Sequence, residues 1–295
     1  MPAIDTAPRV CFRNILFTTD FSAASEAAVP YVEALAGWFD ARVFMVHSVP
    51  PQPMLSVPME PMPVSTDLTW EDAECQMVDF RRRHPLRGVS CETVLERGDL
   101  WPVVCDVIRR HNIDLVVLGT HGRKGLKKVV LGSAAEELFR RVACPVLTVG
   151  PQAFHPRVKF ESWKRILFAT DFSKGSLKAL PYALSLAEEN LAQLTLLHLV
   201  ALVPMQRKEE VIQHFTDRLR ALVPAEAASW CTPQYVVELG FAADAIPRIA
   251  EQRQSDLIVM GVHATQHPRF VSHSAWAIAY DAVCQSSCPV LTVRG

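Results

Sequence analysis

Residues 114–133 read DLVVLGTHGRKGLKKVVLGS. The run Leu115-Val116-Val117-Leu118 is aliphatic and half β-branched, as in a strand buried on both faces. It stops at Gly119. Gly122 follows after two residues, and Gly132-Ser133 after nine more. A helical pattern, AAEELFRRV, begins at once. Strand, glycine-bearing loop and helix in that order suit an anion. Glycines let backbone N–H groups approach without a Cβ in the way, and a helix starting near Ser133 offers unpaired donors and the positive end of its dipole. Arg123, Lys124, Lys127 and Lys128 add charge. The loop is neither a Walker A motif nor a GxGxxG fingerprint.

Moving outward, the chain is one unit written twice. RNILFTTDFSAASEAAVPY (13–31) aligns without a gap on KRILFATDFSKGSLKALPY (164–182). The same shift carries His47 onto His198. DLVVLGTHG (114–122) matches DLIVMGVHA (256–264), and CPVLTVG (144–150) matches CPVLTVR (288–294). Two domains are expected, 1–152 and 160–295, joined by a stiff, proline-bearing linker. Each unit alternates apolar strands with helical patterns, which implies an α/β fold with parallel strands and right-handed crossovers. In the first unit the strands fall near 15–19, 43–49, 89–95, 115–118 and 146–149. Helices are expected after Ser22, which is placed to cap, around Val78 and Phe80, over 100–111 and from Ser133. Pro30 and Pro181 sit at equivalent points inside the first helix of each unit, where a kink is expected.

Composition narrows the function classes. A net charge of -1 gives no global support for nucleic-acid or membrane-surface binding. No apolar run is long enough to span a bilayer, and the start, MPAIDTAPRV, lacks a signal pattern, so a cytoplasmic location is expected. The eight cysteines are scattered without a CxxC and read as reduced and mostly buried.

The filled spacing G-x2-G-x9-G-[ST], with its repeat partners, resembles the nucleotide loop of the universal stress protein family, and the resemblance covers nearly the whole chain as a tandem member. It implies two domains of five parallel strands each, with helices on both faces, paired pseudo-symmetrically through the last strands. In the ATP-binding branch, an aspartate at the end of strand one lies near the nucleotide, matched here by Thr18-Thr19-Asp20. The backbone at the end of strand two meets adenine, matched by Ser48. The loop wraps ribose and phosphates, matched by Gly119, His121, Gly122, Arg123, Gly132 and Ser133. The resemblance therefore implies ATP, with magnesium, in the first domain, and a stress-response sensor or regulator acting through a protein partner, with a homodimer also compatible.

The second unit departs from this pattern. It keeps Asp171 and Gly261, but Ala264 stands for the second glycine, and Ser274 and Ala275 for Gly132 and Ser133. A Cβ there crowds the amide donors, so the second domain is not expected to bind nucleotide in the same way. Other candidates have simpler readings. His121 could assist hydrolysis, but no nucleophile–base pair accompanies it, so no enzyme activity is expected. His263, His267 and His273 lie in a loop as a possible zinc set. Met54, Met59 and Met62 fit a loop better than a copper site. Arg81-Arg82-Arg83-His84 reads as a solvated helix end. The second domain would then serve pairing or another ligand; the alternatives to a nucleotide sensor are an interaction scaffold that binds no nucleotide or binds another small ligand in the altered second site, and a slow ATPase.

Overall fold

The structure, a computed structural model, describes residues 10–51, 69–120, 133–153, 160–201, 203–262 and 275–295. The first half runs β1 (Asn14–Thr18), α1 (Ala23–Phe39), β2 (Arg42–Val49), α2 (Trp70–Arg83), β3 (Cys91–Arg97), α3 (Leu100–His111), β4 (Leu115–Gly119), α4 (Ser133–Arg141) and β5 (Val146–Val149). The second half runs β6 (Arg165–Ala169), α5 (Lys174–Leu177), α6 (Leu180–Asn190), β7 (Gln193–Val200), α7 (Lys208–Arg220), β8 (Gln234–Leu239), α8 (Ala242–Gln252), β9 (Leu257–Val262), α9 (Ala275–Gln285) and β10 (Val290–Arg294). The expected alternation is present in both halves.

All strands join one ten-stranded sheet in the order β3-β2-β1-β4-β5-β10-β9-β6-β7-β8. Within each half every pairing is parallel. The halves meet antiparallel, with Val290 opposite Thr148, Leu291 opposite Leu147 and Thr292 opposite Val146. The twin CPVLTV segments thus close each other's open edge, removing two unpaired strand edges at once. Because the halves run oppositely, the carboxyl ends of their strands lie on opposite edges of the shared sheet.

Alternation along each strand divides the core by face. Ile15, Phe17, Val43, Met45, Leu115 and Val117 pack on one face with Val32 of α1 and Phe80 of α2. Leu16, Phe44, Val116 and Leu118 pack on the other with Val104 of α3 and Leu138 of α4. The first face continues without interruption into the second half through Ile166, Phe168, Leu194 and Val259. Aromatic rings from the linker region wedge into that continuity. Phe160 lies 4.6 Å from Tyr31 and 5.2 Å from Trp163, and Trp163 lies 5.2 Å from Trp38. Burial among them pushes the Tyr31 phenol up to about 12. On the opposite face Trp276 of α9 receives the Arg140 guanidinium of α4 at 4.3 Å.

Two expectations need correction. Pro30 lies inside a continuous 17-residue α1, but Pro181 does not interrupt a helix. The second copy breaks after α5, and Pro181 falls in the first turn of α6, where its missing N–H is harmless. The cysteines are all free, as expected, but only Cys284 and Cys288 are buried; Cys11 and Cys75 are exposed and the other four are intermediate. Scattered cysteines on helix and strand margins simply follow the exposure of those positions.

Candidate functional site

In the first half, β1 is flanked by β2 and β4, and the chain leaves these two neighbours in opposite directions. That is the topological switch point, where open α/β sheets form a crevice at their carboxyl edge. The tip of β1 therefore lies beside the tip of β4, bringing Thr18, Thr19 and Asp20 next to Gly119 and Thr120. Ser48, near the end of β2 on the other side of β1, is partly exposed and opposite Glu96 of β3. Crossover topology carries the amino end of α4, at Ser133, to the same edge. His121, Gly122, Arg123 and Gly132 lie outside the described residues, as do the zinc candidates His263, His267 and His273 and the methionines Met54, Met59 and Met62.

The β1 tip is a rigid bend. Thr19 is buried, and its hydroxyl meets the Ser25 hydroxyl at 3.0 Å and accepts from the Phe21 N–H at 3.0 Å. Asp20 is exposed and accepts from the Ser22 N–H at 3.1 Å and from the Ser22 hydroxyl. Ser22 in turn caps α1, accepting from the Ser25 N–H. Phe21 adopts φ 61°, the left-handed region that costs an ordinary side chain about 1–2 kcal/mol. Its ring is held 4.3 Å from His47 and 5.9 Å from Phe80. His47 is buried, with Nδ1 at 2.7 Å from the Thr19 carbonyl. A carbonyl only accepts, so Nδ1 carries the proton. Burial lowers the His47 pKa, and the Thr19 hydrogen bond and the Asp20 charge oppose it only in part.

Every element of this bend recurs in the second half. Thr170 meets Ser176 at 2.9 Å and accepts from Phe172, which has φ 61°. Asp171 accepts from the Ser173 N–H at 2.9 Å, and His198 Nδ1 lies 2.9 Å from the Thr170 carbonyl. Thr19 thus fastens the bend with its hydroxyl. Asp20 and Asp171 make the same local backbone contact, so turn geometry alone accounts for both carboxylates as far as the bend is concerned. Ser25, Phe21 and His47 are the supports that the loop-centred reading did not weigh. The signal for Phe21 and Ser25 was in the repeat itself, as Thr-Asp-Phe-Ser-x-x-Ser in both copies, and that for His47 was its match to His198.

Gly119 has a reason unrelated to phosphate. A Cβ built on it would stand 1.9 Å from the Ala24 carbonyl oxygen and 3.0 Å from the Ser25 Cα. The start of α1 presses on the end of β4, leaving room only for hydrogen. Gly261 shows the same approach, 2.3 Å from the Gly175 carbonyl oxygen, in the half whose loop has lost its other glycines.

The helix after the second loop also corrects the alignment. Around α4 the buried residues are Leu138, Phe139 and Val142; around α9 they are Ala279, Ala282, Val283, Cys284 and Ser286, of which Ala282, Val283 and Ser286 repeat the spacing of the α4 set. Matching them places Trp276 and Ala277, rather than Ser274 and Ala275, opposite Gly132 and Ser133. The conclusion is unchanged in kind, since neither a glycine nor a hydroxyl stands there. Among the described residues, no group of three or more His, Cys, Asp or Glu is arranged to hold a metal, and no helix is long and apolar enough to cross a membrane.

Comparison with known proteins agrees with the duplication. The universal stress protein family model matches residues 12–150 and again 162–294. A universal stress protein of Mycolicibacterium smegmatis is 26% identical over 296 residues, covering 95% of this chain and 97% of its own. One from Methanocaldococcus jannaschii is 28% identical over 139 residues, 47% of this chain and 82% of its own. The crystal structure of a universal stress protein from Archaeoglobus fulgidus superposes with a TM-score of 0.70 at 18% identity, covering 95% of this chain and 98% of that one. With both halves matched and both built on the same five-stranded plan, the chain belongs to the universal stress protein family, as two family domains in tandem.

Proposed function

We propose that the first domain binds ATP with magnesium at its strand-end crevice, and that the protein acts as a stress-response sensor or regulator in the cytoplasm. The observation that carries the reading is the switch point between β1 and β4. It sets the exposed Asp20 beside Gly119, and the sequence that joins the end of β4 to the start of α4 carries the glycine spacing and four basic residues. The Asp20 carboxylate suits a ribose hydroxyl or a magnesium ion, and the loop amides and basic side chains suit phosphates. The reading is of a binding protein rather than an enzyme, with a protein partner reading the nucleotide state.

Calorimetric titration of MgATP into the full chain tests this, alongside Gly122→Asp, which places a carboxylate in the loop. One site per chain, weakened at least tenfold in the variant, is expected. Absence of nucleotide binding, or affinity unaffected by Gly122→Asp, refutes the assignment and favours an interaction scaffold.

A further inference from the structure

The second domain keeps the strand-end crevice but reverses its chemistry. An open cavity of about 120 Å³ lies at its switch point, between β6 and β9. Leu199, Ala242, Ile246, Met260 and Ile278 are among its apolar lining residues, and Thr170, Asp171 and Ser176 are its polar ones. Among the described residues that line it, none is Lys, Arg or His. The described lining thus offers a ligand a carboxylate and apolar walls, with no cation.

The repeat shows how the change was made. Leu199 stands where the first domain has Ser48, because His198 and His47 are equivalent. Strand register extends the comparison. Val49 pairs with Arg97 as Val200 pairs with Leu239, so Leu239 replaces Arg97. Two residues further on, Phe241 replaces Asp99 before the start of α8. Three polar or charged positions on one edge have become apolar together. Leu239 and Phe241 are also exposed, at 38% and 56%. Filling the core would not by itself leave two apolar side chains this exposed. One wall residue has changed in the direction that makes room, with Ala242 standing where the first domain has Leu100.

We infer that this crevice binds a small, neutral, largely apolar molecule about the size of one aromatic ring, with a hydroxyl or similar polar end directed at Thr170 and Asp171. An apolar protein cavity of about 150 Å³ accepts benzene, so the space is of the right order. The inference does not depend on nucleotide binding by the first domain, whose crevice opens on the opposite edge of the sheet.

The test is a ¹⁹F NMR titration of 4-fluorophenol with the full chain. A saturable shift with one site per chain is expected, undisturbed by excess MgATP. Ala242→Leu fills the cavity with the residue the first domain carries, and Leu199→Ser restores the first domain's hydroxyl. Each should weaken the probe at least fivefold while the thermal transition stays cooperative. Three results overturn the inference: no saturable shift; an unchanged affinity in both variants; or displacement by MgATP, which would put the probe in the first domain.

Discussion

Gly119→Ala separates a packing glycine from a phosphate-loop glycine. The new methyl group would lie 1.9 Å from the Ala24 carbonyl oxygen. Ordinary carbon–oxygen contact needs more than 3 Å, so the start of α1 must retreat from β4 by roughly 1 Å or the β4 tip must twist. Overpacking of this kind costs about 1–3 kcal/mol. Backbone is on both sides of the clash, so no rotamer change relieves it, and the upper part of that range is expected. At 2–4 °C per kcal/mol for a domain of this size, the first domain's transition should fall by about 6–12 °C. The assay is calorimetric unfolding without nucleotide, with Gly261→Ala as the internal control. Its Cβ would stand 2.3 Å from the Gly175 carbonyl oxygen and 2.4 Å from the Ser176 Cα, so a loss of similar size is expected in the second domain. If Gly119→Ala melts like wild type yet abolishes ATP binding, the glycine serves the ligand and the packing argument is wrong. A loss in the first domain without one at Gly261 would equally refute the idea that both copies share one constraint.

Two further outcomes follow from the bend at the β1 tip. Phe21→Gly and Phe21→Ala both lose the ring contacts with His47 and Phe80, but only glycine relieves the left-handed φ of 61°; chemical denaturation should find the glycine variant more stable than the alanine variant by about 1 kcal/mol. His47 and His198 are both held below the ordinary histidine pKa of 6.5, chiefly by burial. Their unfolded forms take up protons first, so stability is full above pH 6.5 and declines as the pH falls through the lowered folded values; His47→Asn, which retains a donor for the Thr19 carbonyl, should flatten the fall in melting temperature between pH 7 and pH 5.

The parts of this fold that were legible in the sequence are those written in local pattern and repetition. The aliphatic runs at 15–18, 43–46 and 115–118 became buried strands because each is flanked on both faces by helices. Ser22 capped α1 because its hydroxyl reaches an orphan N–H three residues on. The pairing of β5 with β10 was implied by the family resemblance, and the two matching closing segments, each with an open edge, make it. What was not legible depended on through-space distances. Gly119 read as a loop residue, but its constraint comes from α1, nearly a hundred positions earlier. Pro181 read as the equal of Pro30, yet the second copy breaks at Lys178 and Ala179 and starts a new helix under the proline. Trp276 was hidden because spacing alone cannot place a two-residue difference between a loop and the helix after it; burial along the helix can. Ser48 and Asp20 were found through resemblance, while the hydrogen bonds that shape the bend around Asp20 appear only in three dimensions.

Duplication explains why one crevice can change while the fold does not. The bend at each β1-type tip is kept by Thr, Asp, Phe, Ser and a buried His in both copies, and each glycine beneath it is kept by helix contact. These residues hold the sheet and its first helix together whether or not a ligand is present. The residues that differ between the crevices, Ser48 and Leu199, Arg97 and Leu239, Asp99 and Phe241, stand at strand ends and on the rim, where a substitution costs little folding free energy. The shared seam between β5 and β10 adds a second constraint. Its residues are buried from both sides and touch both halves, so neither domain can lose its last strand without exposing the edge of the other. The bend and the seam are therefore tied to stability in both copies, while the two rims, at opposite edges of one sheet, can differ at little cost to folding. Two crevices with different linings, at opposite edges of one sheet, are the arrangement that this division of constraints permits.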